Sequence, residues 1–204
     1  MMRRAMIVVF ALVFVPGAYI LYRGGWPYLV IGLAAIASGY LYTGGPYPLG
    51  YLGLGDVFVL AFFGPIAVGG TYYLQTFALT PEVIAAGFAP GLFSVAILTV
   101  NNLRDADTDA RTGKKTLAVR FGKSFSRAEY CGALLIAAQG IPFYLFNTTS
   151  HMWVMLSPAA LLLAISSLKT VLTSEEGPAL NKALAGTGIA LAAFGILFSI
   201  GWLA

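Results

Sequence analysis

Charged side chains are scarce in this sequence, and the shortage excludes a water-soluble globule. Lysine, arginine, aspartate and glutamate together make up 10% of the 204 residues, whereas soluble domains carry about 25%. Hydrophobic residues reach 59%, and the mean hydropathy is +0.83. Because so few charges cannot cover the surface of a globule in water, we expect an integral membrane protein.

Cysteine and histidine are also nearly absent, with one residue of each kind. The single cysteine, Cys131, excludes a secreted disulfide scaffold, and we expect it to pack as a small apolar side chain. The single histidine, His151, is expected at the level of the lipid headgroups on the outer face. The net charge of +4 is too small to favour a nucleic-acid-binding protein.

Seven apolar stretches are long enough to cross a bilayer, whose hydrocarbon core of about 30 Å needs roughly 20 residues of helix. They cover residues 5–22, 26–42, 56–79, 82–100, 128–147, 151–171 and 179–203. We therefore predict an all-α integral membrane protein, with one transmembrane helix bundle that forms a single domain over residues 1–204.

The basic residues predict how these spans are oriented. When successive connections are assigned alternately to the two faces, every lysine and arginine except Arg23 falls on one face. That face includes Arg3, Arg4 and the connection 101–127. Because basic residues accumulate on the cytoplasmic side, we predict a multi-pass protein of the plasma membrane. Its N-terminus and the 101–127 loop are expected in the cytoplasm, and its C-terminus outside.

Acidic residues cluster just after the fourth predicted span, at Asp105, Asp107 and Asp109. On a helix, Asn101, Asp105 and Asp109 are spaced by four residues and share one face, while Asp107 points away. Two carboxylates and an amide, without histidine or cysteine nearby, form a set of hard oxygen ligands. Such a set suits Mg²⁺ that a substrate phosphate helps to hold.

Basic residues follow these acids within the same predicted loop. They are Arg111, Lys114, Lys115 and Arg120. Acids that hold a metal beside bases that bind phosphate oxygens are the two halves of a diphosphate site. Each base taken singly is better explained by a solvated loop that obeys the positive-inside rule, but that rule does not account for the acids.

Several segments resemble one family of membrane enzymes. The run NNLRDADTDARTGKKTLAVRFG at 101–122 resembles the second aspartate-rich motif of the intramembrane aromatic prenyltransferases, the UbiA superfamily. YTGGPYPLGYLGLGDVFVLAFFG at 42–64, GGTYYLQT at 69–76 and LNKALAGTG at 180–188 are similar to the branch that prenylates 1,4-dihydroxy-2-naphthoate. The resemblance covers nearly all of the chain and implies a UbiA-type helix bundle.

The resemblance implies an enzyme that transfers a polyprenyl group from its diphosphate to 1,4-dihydroxy-2-naphthoate in menaquinone or phylloquinone biosynthesis. The implied partners are these two substrates and the lipid bilayer, without nucleic acid, and the implied cofactor is Mg²⁺. Asp105 and Asp109 would ligate the metal, with Asn101 or Asn102 assisting. The bases would hold the diphosphate or the carboxylate, namely Lys114, Lys115 and Arg120.

One part of the family pattern is missing. Members of the family have nine helices and two aspartate-rich motifs, and the seven predicted spans resemble helices three to nine. Asp56 is the only acid before residue 82, so the first motif has no counterpart. We expect that the 204 residues by themselves are nearly inactive. The alternative is a truncated, non-catalytic homologue that binds polyprenyl lipid or a membrane partner.

Aromatic residues are candidates for the lining of the cavity, because aromatic faces steady a cation. They are Tyr42, Tyr47, Tyr51, Tyr72 and Tyr73. Tyrosines also gather at membrane interfaces, which explains any one of them as well. Asp56 is expected either to orient a substrate or to cap the N-terminus of the third span.

Overall fold

The computed structural model describes the backbone of residues 2–44 and 48–204, and their side chains apart from those of 2–7, 10 and 43. Its described residues form seven helices joined by short connections, which confirms the predicted all-α bundle. The helices are α1 (Met2–Gly24), α2 (Trp26–Thr43), α3 (Gly55–Thr76), α4 (Pro81–Arg111), α5 (Leu117–Thr148), α6 (Met152–Thr173) and α7 (Gly177–Leu203).

Five of the helices, α3 to α7, are long and apolar enough to cross a membrane. Within the described residues, α1 and α2 contribute the shorter apolar stretches Ala11–Gly24 and Trp26–Tyr42. Large apolar side chains such as Leu162 and Ile196 are exposed on the outside of the bundle, as expected where lipid is the solvent. The chain is therefore a multi-pass membrane protein, and the crossing of α1 and α2 stays a prediction.

The region predicted as the 101–127 loop is mostly helical. Helix α4 continues to Arg111 and α5 begins at Leu117, so only residues 112–116 form a turn. The reason is length, because the 31 residues of α4 extend about 46 Å and exceed a hydrocarbon core of about 30 Å by roughly three turns. The acidic residues consequently lie on the rigid end of a helix.

Helix α4 begins at a cap and passes a proline without a break. The hydroxyl of Thr80 accepts a hydrogen bond from the Val83 N–H at 3.4 Å, which satisfies one free donor of the first turn. Farther along, the Ser94 hydroxyl donates to the carbonyl of Pro90 at 2.8 Å. Pro90 has no N–H for the carbonyl of Ala86 one turn earlier, and membrane helices tolerate such a gap.

The core lies among α4, α5, α6 and α7. Phe93 of α4 packs against Phe194 of α7 with the ring centroids 5.2 Å apart. The Tyr130 hydroxyl of α5 and the Thr187 hydroxyl of α7 are hydrogen-bonded at 2.7 Å. All four side chains are buried, so the core combines aromatic packing between α4 and α7 with a paired polar contact between α5 and α7.

Helices α3 and α4 cross with their backbones in contact. A methyl group on Gly91 would lie 2.7 Å from the Leu60 carbonyl oxygen, and one on Gly64 would lie 2.9 Å from the Gly87 carbonyl oxygen. Small residues permit such close approach of membrane helices. The crossing holds the beginning of α3 against α4.

Candidate functional site

The polar residues in the last turns of α4 differ in how much of their surface is exposed. Asp109 and Asn102 are buried, with 8% and 7% of their surface exposed. The Asp105 side chain is 35% exposed, whereas that of Asp107 is 77% exposed and projects away from the bundle. The structure thus places Asp105 and Asp109 on one side of the helix and Asp107 on the other.

The two adjacent amides take different positions. Asn102 precedes Asp109 by two helical turns and therefore lies on the same buried face. Asn101 instead accepts a hydrogen bond from Nη2 of Arg104 at 2.8 Å. Of the two amides proposed from the sequence as metal ligands, Asn102 is the one aligned with Asp109.

Arg104 belongs to this cluster although the sequence did not single it out. Its Nε and Nη2 donate to the two carboxylate oxygens of Asp105 at 2.7 Å and 2.6 Å, and its Nη1 donates to Asn181 of α7. The guanidinium therefore orients Asp105 and joins the end of α4 to the beginning of α7. The positive-inside rule accounts for Arg104 in the sequence, and adjacency to Asp105 is the one indication of this contact.

The four candidate bases surround the turn that follows α4. Nζ of Lys114 lies 3.0 Å from Oδ2 of Asp109. Nη2 of Arg120 donates to the Leu52 carbonyl at 2.7 Å, while Arg111 and Lys115 are exposed. Lys114 is thus the base in direct contact with the acidic face, and Arg120 reaches toward the segment that precedes α3.

Backbone contacts join this turn to the segment before α3. The Lys115 N–H donates to the Tyr51 carbonyl at 2.8 Å. Gly53 adopts a φ of 72°, and a methyl group there would lie 2.5 Å from the Lys115 carbonyl oxygen, so the position requires glycine. These contacts bring the first turn of α3 next to the acidic end of α4.

Asp56 lies in that first turn and is buried, with 8% of its surface exposed. The N-cap position of α3 is Leu54, and no side chain caps the helix, so the capping role considered for Asp56 is not observed. A methyl group on the neighbouring Gly55 would lie 3.0 Å from the Tyr42 hydroxyl oxygen. The phenol of Tyr42 is therefore adjacent to the beginning of α3.

The other candidate tyrosines are dispersed. Tyr51 is 40% exposed and contributes its backbone carbonyl, and Tyr47 lies outside the described residues. Tyr72 and Tyr73 belong to the far end of α3, about 24 Å from Asp56 at 1.5 Å per residue. The structure does not bring this last pair to the acidic site.

Glu129 of α5 is a second residue that the sequence analysis did not single out. Its side chain is half-buried within the apolar helix α5. An ionisable residue within an apolar helix is by itself an indication of function. That indication was present in the sequence at the beginning of the fifth predicted span.

The exposed acid Asp107 takes part in a surface network. Nζ of Lys123 lies 3.1 Å from Asp107 and 3.0 Å from Glu175. The hydrogen bond from Lys123 lowers the pKa of Glu175 below its usual value. Exposed ion pairs of this kind contribute little to stability, so the network explains the presence of Asp107 without a role at the acidic face.

The donors of the acidic face fit a magnesium ion that a diphosphate helps to bind. Asp105 and Asp109 offer carboxylate oxygens and Asn102 an amide oxygen, which are the hard ligands that Mg²⁺ prefers. Among the described residues, no group of three or more His, Cys, Asp or Glu side chains converges on one point. Phosphate and water oxygens would therefore have to complete the six ligands.

Comparison with known proteins places the chain among its relatives. The profile of the UbiA prenyltransferase family matches residues 1–184. A 1,4-dihydroxy-2-naphthoate octaprenyltransferase of Haemophilus influenzae is 40% identical over 177 residues, which cover 85% of this chain and 56% of the relative.

Two further proteins with the same name match a similar share of this chain. The one from Mycobacterium tuberculosis is 40% identical over 166 residues, or 81% of this chain and 56% of the relative. The one from Escherichia coli is 35% identical over 176 residues, or 85% of this chain and 56% of the relative. This chain thus spans a little over half the length of these relatives. It belongs to the UbiA prenyltransferase family.

Proposed function

We propose that this protein transfers a polyprenyl group from its diphosphate to 1,4-dihydroxy-2-naphthoate in an Mg²⁺-dependent step of menaquinone or phylloquinone biosynthesis. One observation supports this proposal most directly. The acidic face of α4, the basic turn after it and the first turn of α3 meet at one end of the bundle, so metal ligands and phosphate ligands lie side by side. The substrates are those named in the relatives.

The acidic face is proposed to bind the diphosphate through a metal. Asp105 and Asp109 would hold Mg²⁺ with help from Asn102, and the ion would neutralise charge on the departing diphosphate. In this structure the two carboxylates are paired with Arg104 and Lys114. A bound cation would neutralise the two carboxylates in place of Arg104 and Lys114. Both basic side chains would then be available to bind phosphate oxygens.

The first turn of α3 and Tyr42 are proposed to form the adjoining wall of the cavity. An allylic cation must be kept from water and is steadied by an aromatic face. Tyr42 is half-buried and is the one described candidate tyrosine whose side chain adjoins the beginning of α3. Its place beside the first turn of α3 suits contact with the reacting end of the prenyl chain.

The assay uses membranes from cells that express the full-length product of the gene that encodes these 204 residues, because the 204 residues by themselves are expected to be nearly inactive. They are given 1,4-dihydroxy-2-naphthoate, a labelled polyprenyl diphosphate and Mg²⁺, and prenylated naphthoquinol is measured. We expect measurable turnover in these membranes. The rate should fall by at least about 100-fold when a chelator removes divalent metal, because the charge of the leaving diphosphate is then not neutralised. Added Mg²⁺ should restore the rate. Binding of the diphosphate without any transfer would instead favour a non-catalytic lipid-binding protein.

We also propose that the protein lies in the plasma membrane with the 112–116 turn in the cytoplasm and the C-terminus outside. The support is the accumulation of basic residues on one face. Arg3 and Arg4, which place the N-terminus on the same side, lie among the residues whose side chains are not described.

Cysteine labelling tests this orientation. Ser124 and Thr148 are both exposed and are separated by about 36 Å along α5. In a Cys131→Ala background, a membrane-impermeant reagent added to intact cells should label Thr148→Cys and leave Ser124→Cys unlabelled until the cells are opened. Equal labelling of both in intact cells would show that α5 does not cross.

A further inference from the structure

Asp56 carries a buried carboxylate oxygen that the protein does not satisfy. Among the described residues, Oδ1 of Asp56 has no hydrogen-bond partner and is closed off from the surface. A buried charged oxygen without a donor destabilises a fold by more than an unpaired neutral group does. The side chain does not cap α3 either, so this oxygen has no partner within the described part of the chain.

The surroundings of Asp56 connect it to the proposed diphosphate site. The segment before it is tied to the basic turn through the Lys115–Tyr51 and Arg120–Leu52 contacts. A methyl group on Gly55, the residue before Asp56, would lie 3.0 Å from the hydroxyl oxygen of Tyr42. Asp56 is thus next to the diphosphate end of the site but outside the group of residues that would hold the metal.

The charge of Asp56 restricts which ligand can satisfy it. A carboxylate repels an anion such as the diphosphate. A hydroxyl group, in contrast, donates a hydrogen bond to a carboxylate, and bonds of this charge-assisted kind are among the strong ones. The ligand that fits is a neutral donor group on a flat, apolar body that can lie against Tyr42.

We propose that Oδ1 of Asp56 accepts a hydrogen bond from a ring hydroxyl of the aromatic acceptor and thereby orients its ring toward the prenyl diphosphate. The inference rests on the function proposed above and adds the residue that recognises the acceptor. Of the two substrates, only 1,4-dihydroxy-2-naphthoate has ring hydroxyls. Its 1-hydroxyl lies beside its own carboxylate and bonds to it internally, so the 4-hydroxyl is the free donor.

A comparison of two acceptors tests this contact. 1-Hydroxy-2-naphthoate lacks only the 4-hydroxyl, and the wild type should use it about 100-fold less efficiently than the dihydroxy compound, as judged by kcat/KM. In Asp56→Asn and Asp56→Ala proteins, kcat/KM for the dihydroxy acceptor should fall by about 10-fold and about 100-fold. The monohydroxy acceptor should be affected less than about threefold, because its missing group is the one that Asp56 would bind.

Two controls separate recognition from a structural effect. The KM for the polyprenyl diphosphate should change less than about threefold in both variants, because the metal ligands are intact. Glu82, the acid in the first turn of α4, is the matched control, and Glu82→Gln should leave the preference between acceptors unchanged. Thermal stability of Asp56→Asn in detergent should be equal to or higher than that of the wild type, because an unpaired buried charge is removed.

The outcomes distinguish this inference from the proposed function. Loss of the preference between acceptors in the Asp56 variants supports it. A wild type and an Asp56→Asn protein that transfer the prenyl group and discriminate equally would show that the carboxylate binds only a buried water, and the inference would be wrong while the function stands. If the wild type transfers to neither acceptor in the presence of Mg²⁺, the proposed function fails and the assignment of Asp56 fails with it.

Discussion

Asp105→Asn and Asp109→Asn are each expected to lower Mg²⁺-dependent prenyl transfer by about 100-fold or more, whereas Asp107→Asn should lose less than about threefold. The first two carboxylates lie on one side of α4 beside Arg104 and Lys114. Asp107 projects from the opposite side, with 77% of its side chain exposed. A 100-fold loss corresponds to about 2.7 kcal/mol of transition-state stabilisation, which is reasonable for a lost metal ligand.

Asparagine is preferred to alanine for this comparison because Asp109 is buried against Lys114. Alanine would leave a cavity and remove the oxygen that accepts the hydrogen bond of the half-buried Lys114, whereas asparagine keeps an oxygen acceptor. The rates are measured in membranes at matched protein amounts and over a range of Mg²⁺ concentrations. Higher Mg²⁺ should partly restore the Asp105 and Asp109 variants. Equal losses at all three positions would contradict the assignment of a metal-binding face.

Gly91→Ala is expected to destabilise the whole protein by about 3 kcal/mol or more, because the added methyl group overpacks a contact between two backbones. It would lie 2.7 Å from the Leu60 carbonyl oxygen and 3.0 Å from Cα of Gly64. Neither of these atoms belongs to a flexible side chain, so α3 and α4 must separate. Because the crossing also positions Asp56, remaining folded protein should transfer prenyl groups poorly.

Gly195→Ala in α7 is the matched control, since a methyl group there meets no atom within 4 Å. Alanine has the higher helix propensity, so this variant should be neutral or slightly more stable. The measurement is the melting temperature of the protein in detergent, followed by size-exclusion chromatography. If the two alanine variants melt at the same temperature, α3 and α4 do not cross through these glycines.

Part of the candidate site followed from residue spacing. A four-residue interval puts Asp105 and Asp109 on one helix face for any regular helix, and a two-residue step puts Asp107 away from it. This inference needed only the assumption of a helix, and α4 extends through Arg111. The difference between Asn101 and Asn102 could not be read in the same way, because it depends on the contact of Asn101 with Arg104.

The composition and the length of the apolar stretches determined by themselves that the chain is an all-α membrane protein with its polar chemistry after the fourth span. Those properties depend on local helix geometry and on the thickness of a bilayer, which apply to each segment separately.

Tertiary structure alone decided which distant segments meet at the acidic face. Asp56 and Tyr42 join it and Tyr72 and Tyr73 do not, because the Gly64–Gly91 crossing and the Lys115–Tyr51 bond position the two ends of α3. Contacts between backbones far apart in the chain leave no periodic pattern in the sequence, so only the packed structure shows them.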